Sequence, residues 1–246
     1  MKLLLLAGTG EAVALAAALA EAGVPTVARL AGATRAPKTL AVPMEIGGWG
    51  GAAPFRTWLS AEGIDGVIDA THPFAARISA RTAEVCRAEN MPYLQVLRPP
   101  WMPQTGDTWV EVATEEDVGM HIPKGATVFL ATGRQTLERF VGLTERRLIC
   151  RQIDPPEHPF PFPNGAYLVG RPPFSVEDER ALFQRLGVDW LVVKNAGGAA
   201  SATKLTAARE LGLPVAMIAR PPQPDAERVE TVEAAMDWVR ARWTNG

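Results

Sequence analysis

Leu3-Leu4-Leu5-Leu6-Ala7-Gly8-Thr9-Gly10-Glu11 carries an apolar run straight into a glycine turn, and an alanine-rich helical stretch follows. The order strand, glycine turn, helix is that of a buried parallel strand feeding a nucleotide-binding helix. Such a helix start offers unpaired backbone N–H groups and the positive end of its dipole to an anion. Gly8 permits the tight turn. Gly10 lacks a Cβ, so a phosphate can approach the backbone closely. The sixth position of the G-x-G-x-x-G/A pattern is Val13. The motif is therefore incomplete, and by itself the turn also suits simple closure of a strand–helix unit.

Outward from this segment, strand-length apolar runs alternate with helix-length amphipathic stretches. Strands are predicted near 2–7, 25–30, 42–46, 66–70 and 93–97, with helices near 10–22, 51–62 and 73–90. Alternation of this kind predicts an α/β fold with a parallel sheet covered by helices. The pattern breaks at Arg98-Pro99-Pro100-Trp101, followed by Pro103 and Gly106, which reads as a linker. A second series then predicts strands near 109–112, 126–131, 146–152, 166–169, 189–193 and 214–219, with helices near 134–142, 175–186 and 201–211. The expected division is a nucleotide-binding domain over 1–98 and a C-terminal α/β domain over 99–246, with a ligand cleft between them. The final helix, 230–243, could dock on either domain. Asp154-Pro155-Pro156-Glu157-His158-Pro159-Phe160-Pro161 is too long for a tight turn and predicts an ordered surface loop or a lid.

Of the 246 residues, 47% are apolar, enough for proper cores. The net charge of −2 gives no general attraction to nucleic acid or to an anionic membrane. No apolar run approaches the roughly 18 residues of a membrane span. The expectation is a soluble, cytoplasmic protein, for which a monomer is adequate. Cys86 and Cys150 are widely separated and read as buried free thiols. His72, His121 and His158 show no metal-ligand spacing, so no metal is expected.

In open α/β sheets, ligands sit beyond the carboxyl ends of the strands. After the second predicted strand come Gly32, Thr34, Arg35 and Lys38, with no acid between Arg29 and Lys38. An NAD site would place a carboxylate there, whereas an Arg accepts a 2′-phosphate, so the preference is for NADP over NAD. Gly47-Gly48-Trp49-Gly50-Gly51 follows the third strand and reads as a loop lining the cleft. Thr71-His72-Pro73-Phe74 follows the fourth. Pro73 suits the first position of a helix and Thr71 or His72 its cap. A histidine at a helix start is expected to be neutral. In the second half, Thr132-Gly133-Arg134, Arg151, Gly170-Arg171, Lys194-Asn195-Ala196-Gly197-Gly198 and Arg220 occupy strand ends, and Arg98 ends the first half. Cations gathered at one rim of a slightly acidic chain point to a small ligand with several carboxylates or phosphates.

Together these segments resemble the precorrin-6A reductases. The resemblance rests on Gly8-Thr9-Gly10-Glu11-Ala12, Asp69-Ala70-Thr71-His72-Pro73-Phe74-Ala75, Arg98-Pro99-Pro100-Trp101, Thr132-Gly133-Arg134-Gln135, Gly170-Arg171-Pro172-Pro173-Phe174-Ser175 and Lys194-Asn195-Ala196-Gly197-Gly198, in order along nearly the whole chain. It implies two Rossmann-like domains with NADP(H) between them. It also implies NADPH-dependent reduction of the bond between carbons 18 and 19 of precorrin-6A, giving precorrin-6B in corrin-ring synthesis. Hydride would add at carbon 19 and a proton at carbon 18. His72 is the side-chain candidate for the acid, although water suffices if the enamine is basic enough. Expected coenzyme contacts are Gly8, Thr9, Gly10, Glu11, Gly32, Arg35, Thr71, His72, Pro73 and Phe74. Expected contacts to a polycarboxylate tetrapyrrole are Trp49, Arg98, Arg134, Arg171, Lys194, Asn195, Gly197 and Gly198. Metal-free and cobalt-containing substrates are not separable by sequence. A short-chain dehydrogenase is disfavoured, because Tyr93 and Tyr167 are followed four residues later by Leu97 and Arg171, where Tyr-x-x-x-Lys requires lysine. A nucleotide- or polyanion-binding sensor without chemistry is the alternative from another class.

Overall fold

Leu3, Leu4 and Leu5 are wholly buried because the strand they form lies inside an all-parallel sheet, apolar on both faces. The computed structural model describes residues 1–31 and 39–243. Gly32, Thr34, Arg35 and Lys38 lie outside the described residues. The strands are β1 (Leu3–Ala7), β2 (Thr26–Leu30), β3 (Met44–Ile46), β4 (Gly66–Asp69), β5 (Tyr93–Val96), β6 (Trp109–Val112), β7 (Thr127–Leu130), β8 (Arg147–Gln152), β9 (Gly165–Val169), β10 (Trp190–Lys194), β11 (Val215–Ile218) and β12 (Arg228–Val229). The helices are α1 (Gly10–Glu21), α2 (Ala52–Ala61), α3 (Ala76–Ala88), α4 (Val176–Leu186), α5 (Thr203–Glu210) and α6 (Val232–Trp243).

Two six-stranded sheets result, ordered β12-β5-β4-β1-β2-β3 and β6-β11-β10-β7-β8-β9, with every pairing parallel. Five strands of each, β1–β5 and β7–β11, follow the 3-2-1-4-5 order of a Rossmann sheet. The sixth places are filled differently. β6 follows β5 in the chain but pairs with β11, and β12, the last strand, pairs with β5. The two compact units are accordingly Met1–Pro99 together with the chain from Pro221 onward, and Pro100–Arg220. The expected second domain of 99–246 is thus corrected: it ends at Arg220. The terminal segment returns to the first unit because α6 buries Ala235, Met236, Trp238 and Val239 against the cluster holding Leu15 and Leu19 of α1.

Two helix predictions also change. The helix expected from residue 73 starts at Ala76. Pro73 instead occupies a turn closed by Ala75 N–H donating to the His72 carbonyl at 2.7 Å, a position its fixed φ suits equally well. His72 therefore precedes the helix and does not cap it. Residues Arg134–Leu143 form tight 3₁₀ turns broken by non-helical Thr136 and Phe140. They lie against a second 3₁₀ segment, Glu116–Met120, so closely that a Cβ on Gly119 would stand 2.8 Å from the Gly142 carbonyl oxygen. Arg146 locks the two segments by donating to the carbonyls of Gly119, Ile122 and Gly142. Both cysteines are free and buried, and burial pushes each thiol up to about 12. Among the described residues no helix is long and apolar enough to cross a membrane.

Candidate functional site

In the first unit the strand order reverses between β1 and β4, and the segments leaving them lie side by side. Thr9 is the N-cap of α1: its Oγ1 accepts from Ala12 N–H at 3.2 Å and donates to the Ala70 carbonyl at 2.8 Å. That hydroxyl therefore stitches the glycine turn to the end of β4. The N–H groups of Gly10 and Glu11 have no carbonyl one turn back in the helix. A Cβ on Gly10 would meet nothing within 4 Å, and one on Gly8 would sit 3.9 Å from His72 N. Glu11 reaches Arg98, whose Nη1 lies 2.6 Å from its Oε2. A residue expected at the substrate and one expected at the coenzyme are thus paired with each other.

Asp69, 1% exposed at the end of β4, accepts from Thr71 N–H at 3.0 Å, Thr71 Oγ1 at 2.7 Å and the Tyr93 hydroxyl at 2.8 Å. Burial, reinforced by Asp69, raises the Tyr93 hydroxyl far above its ordinary value, so it stays a donor. The carboxylate thereby fixes the start of Thr71-His72-Pro73-Phe74. His72 is exposed, and its Nδ1 accepts from Phe74 N–H at 3.3 Å, which assigns the proton of the neutral ring to Nε2. The Pro73 carbonyl accepts from Gln223 Nε2 at 3.0 Å. The Trp49 ring packs on Phe55 and Trp58, with centroids 4.5 and 5.0 Å away, and the Arg29 guanidinium lies 4.6 Å above it.

In the second unit the equivalent reversal falls between β7 and β10. Gly133 turns the chain after β7 with φ +73°, and Arg134 follows. Arg134 has no carboxylate within ion-pair distance among the described residues. Lys194, at the end of β10, places Nζ 3.1 Å from Glu115 and 3.0 Å from Thr136 Oγ1. Glu115 also meets Arg139 at 3.0 Å. The Asn195 carboxamide clasps the Trp101 backbone, accepting from its N–H at 2.8 Å and donating to its carbonyl at 3.0 Å. Trp101 Nε1 donates to the Gly198 carbonyl at 3.0 Å, and Arg220 donates to the carbonyls of Asn195 and Ala196 at 2.7 and 3.0 Å. The loop bearing Gly197 and Gly198, at φ +69° and +87°, is thus held on both sides. Arg171 stands 3.7 Å from Asp154. The proline-rich stretch is a pinned loop: the Phe160 ring covers Gly165 so closely that a Cβ there would overlap it, and it packs on Tyr167 at 4.9 Å.

Sequence reasoning missed Glu115. It sits in Glu115-Glu116-Asp117, a run that reads as a solvated face. Burial pushes its carboxyl up, but the Lys194 hydrogen bond, its own backbone N–H, the Lys194 charge and Thr136 together draw it below the usual carboxylate range. Its contribution to stability is therefore present above that range and fades as pH falls through the lowered folded value. Glu115→Gln is expected to cost about 2 kcal/mol near neutrality, the value of a hydrogen bond to a charged group. It should also flatten the acid limb of a urea-denaturation series run from pH 7 to pH 3. An unchanged acid limb would show that the carboxylate is not stabilised by Lys194.

Among the described residues no group of His, Cys, Asp or Glu is gathered to hold a metal ion. Residues 2–240 match the family model described as precorrin-6x reductase CbiJ/CobK. A precorrin-6A reductase of Rhodococcus erythropolis is 43% identical over 241 residues, covering 97% of each chain. One of Rhodobacter capsulatus is 41% identical over 239 residues, covering 97% of this chain and 95% of that one. A solved structure of CobK precorrin-6A reductase superposes with a TM-score of 0.94 at 40% identity, covering 99% of this chain and 97% of that chain.

Proposed function

Since the chain belongs to the precorrin-6x reductase family, we propose that it reduces precorrin-6A to precorrin-6B, taking the hydride from NADPH. The observation that carries the reading is the match of a single reductase family over residues 2–240. The enzyme is an oxidoreductase, and its substrate is a tetrapyrrole.

What supports a dinucleotide at the first unit is the fit of the donor set. Gly10 leaves open space where a side chain would stand, and the first N–H groups of α1 lie at the positive end of its dipole. Pairing with Arg98 neutralises Glu11, the one acid in that turn, which would otherwise repel a phosphate. When bound, NADPH supplies the hydride for carbon 19. The N–H groups of Gly10 and Glu11 hold its diphosphate, and Arg35 takes the 2′-phosphate. Thr71 to Phe74 line the nicotinamide side, stiffened by Asp69. His72, with its proton on Nε2, is the side chain offered as donor toward carbon 18. For the carboxylate arms, Arg134 is the first host, because the Lys194 charge is shared with Glu115.

The test is NADPH absorbance. It should fall when precorrin-6A is added anaerobically, whereas a sensor would bind the coenzyme and leave its absorbance standing. Arg35→Ala should raise the NADPH Kd by roughly tenfold to a hundredfold, the worth of a charge-assisted Arg–phosphate contact. NADH binding should stay within about twofold. Equal weakening of both coenzymes would remove Arg35 from the site.

A further inference from the structure

Pro73 has no backbone N–H, so its carbonyl is the only main-chain group by which it can be held. Gln223 takes that carbonyl, donating from Nε2 at 3.0 Å, and donates also to the Pro221 carbonyl at 2.8 Å. Its Oε1 accepts from Gln95 Nε2 at 2.9 Å, and Gln95 Oε1 accepts from Arg228 Nε at 2.9 Å. The sense of this relay is fixed at both ends. A guanidinium only donates and a carbonyl only accepts, so each amide has one orientation that serves both neighbours. All five residues belong to the first unit. Asp69, Gln95 and Arg228 stand opposite one another across β4, β5 and β12, and paired residues of a sheet share a face. Asp69 and Gln95 are 1% and 3% exposed. One end of this row holds Thr71 through Asp69, and the other holds Pro73 through Gln223. His72 lies between the two anchors. The segment bearing Gln223 is itself fixed, because Arg228 donates to the Pro224 carbonyl at 3.1 Å and Arg87 to the Asp225 carbonyl at 2.6 Å.

We propose that Gln223 is a positioning residue for hydride transfer: through Pro73 it sets the turn that lines the nicotinamide. The inference rests on the reductase reading above and adds a residue that reading leaves unassigned. Between the end of β4 and the start of α3 the chain forms neither strand nor helix. Such a segment keeps one shape only where side chains hold it. Asp69 alone would fix Thr71 and leave the turn free to pivot about it. The Gln223 bond removes that freedom two residues further on. Hydride transfer needs the reacting carbons at roughly 3–3.5 Å, and a displacement of about 1 Å can cost a hundredfold in rate. A wall of the nicotinamide side must therefore be held more tightly than binding alone demands. Binding draws on phosphate contacts at the start of α1, so the relay should govern rate and not affinity.

Two substitutions test the relay. Gln223→Met keeps the length of the side chain and removes its donors. Gln223→Glu keeps an acceptor for Gln95 and loses only the bonds to the two carbonyls. In each, single-turnover oxidation of NADPH by precorrin-6A should slow by roughly tenfold to a hundredfold. The NADPH Kd, measured by fluorescence, should stay within about threefold, as should the precorrin-6A concentration that gives half the maximal single-turnover rate. Steady-state turnover with NADPH deuterated at the transferred position should show the full isotope effect of the single turnover, because hydride transfer then limits it. A single-turnover rate within about twofold of the original in either variant overturns the proposal. So does a slower rate with no isotope effect on steady-state turnover, which moves the loss to another step. Affinities that weaken about tenfold together with a lowered melting temperature make Gln223 a support of the fold alone and overturn it too. The reductase reading stands apart from these outcomes and fails only if the unaltered protein does not oxidise NADPH with precorrin-6A.

Discussion

Gly10→Asp is expected to leave the protein folded while weakening NADPH binding by a hundredfold to a thousandfold, on the order of 3–4 kcal/mol. The fold should tolerate the change because a Cβ at this position meets nothing within 4 Å. An acid in the first turn of α1 is also favourable to the helix dipole, and Thr9 remains as the cap. The coenzyme cannot tolerate it. Two unit charges about 4 Å apart repel by roughly 4 kcal/mol at an effective dielectric of about 20, and the acid would occupy the space proposed for the diphosphate. Titration of NADPH by fluorescence, with a thermal melt alongside, measures both halves of the expectation. A Kd within about threefold of the original would place the diphosphate elsewhere in the molecule.

Glu179→Leu should destabilise the second unit by about 3–5 kcal/mol, a large part of a typical domain's stability. Glu179 of α4 is 1% exposed and receives Arg151 of β8 in a two-pronged pair at 2.7 and 2.8 Å. The guanidinium also lies over the rings of Phe129 and Phe174, at 5.2 and 4.4 Å. Removing the carboxylate strands a buried cation among aromatic rings, and that desolvation is the source of the loss. Arg151→Met combined with Glu179→Leu should recover most of it, because an apolar pair of similar volume has no charge to bury. Urea unfolding of the two single variants and the double variant closes the cycle. If the double variant is as unstable as Glu179→Leu alone, packing and not charge explains the deficit.

The central strands were legible because a strand covered on both faces needs an unbroken apolar run, and Leu3 to Ala7 is such a run. The glycine turn was legible for a similar reason: few residues allow that sequence of backbone positions. Elements governed by partners far along the chain were not. Nothing local says that Pro73 serves a turn rather than a helix start. The two residues of β12 are too few to show a period and are strand only because β5 accepts them. The neighbourhood of the turns leaving β1 and β4 was legible. The chain order brings Gly8 beside His72, as strand-end reasoning expects. Glu115, Gln95 and the pairing of Arg98 with Glu11 were not legible, because the burial of a polar group is decided by everything packed around it.

The return of the chain after Arg220 makes the first sheet dependent on both ends of the sequence. A protein truncated after Pro99 would lose β12 and α6, leaving β5 as a bare edge and α1 without its cover. The remainder would carry β12 and α6 with nothing to dock on. Pro100–Arg220, by contrast, holds all six strands of its own sheet in one uninterrupted stretch, so the first unit alone depends on chain from both sides of the other.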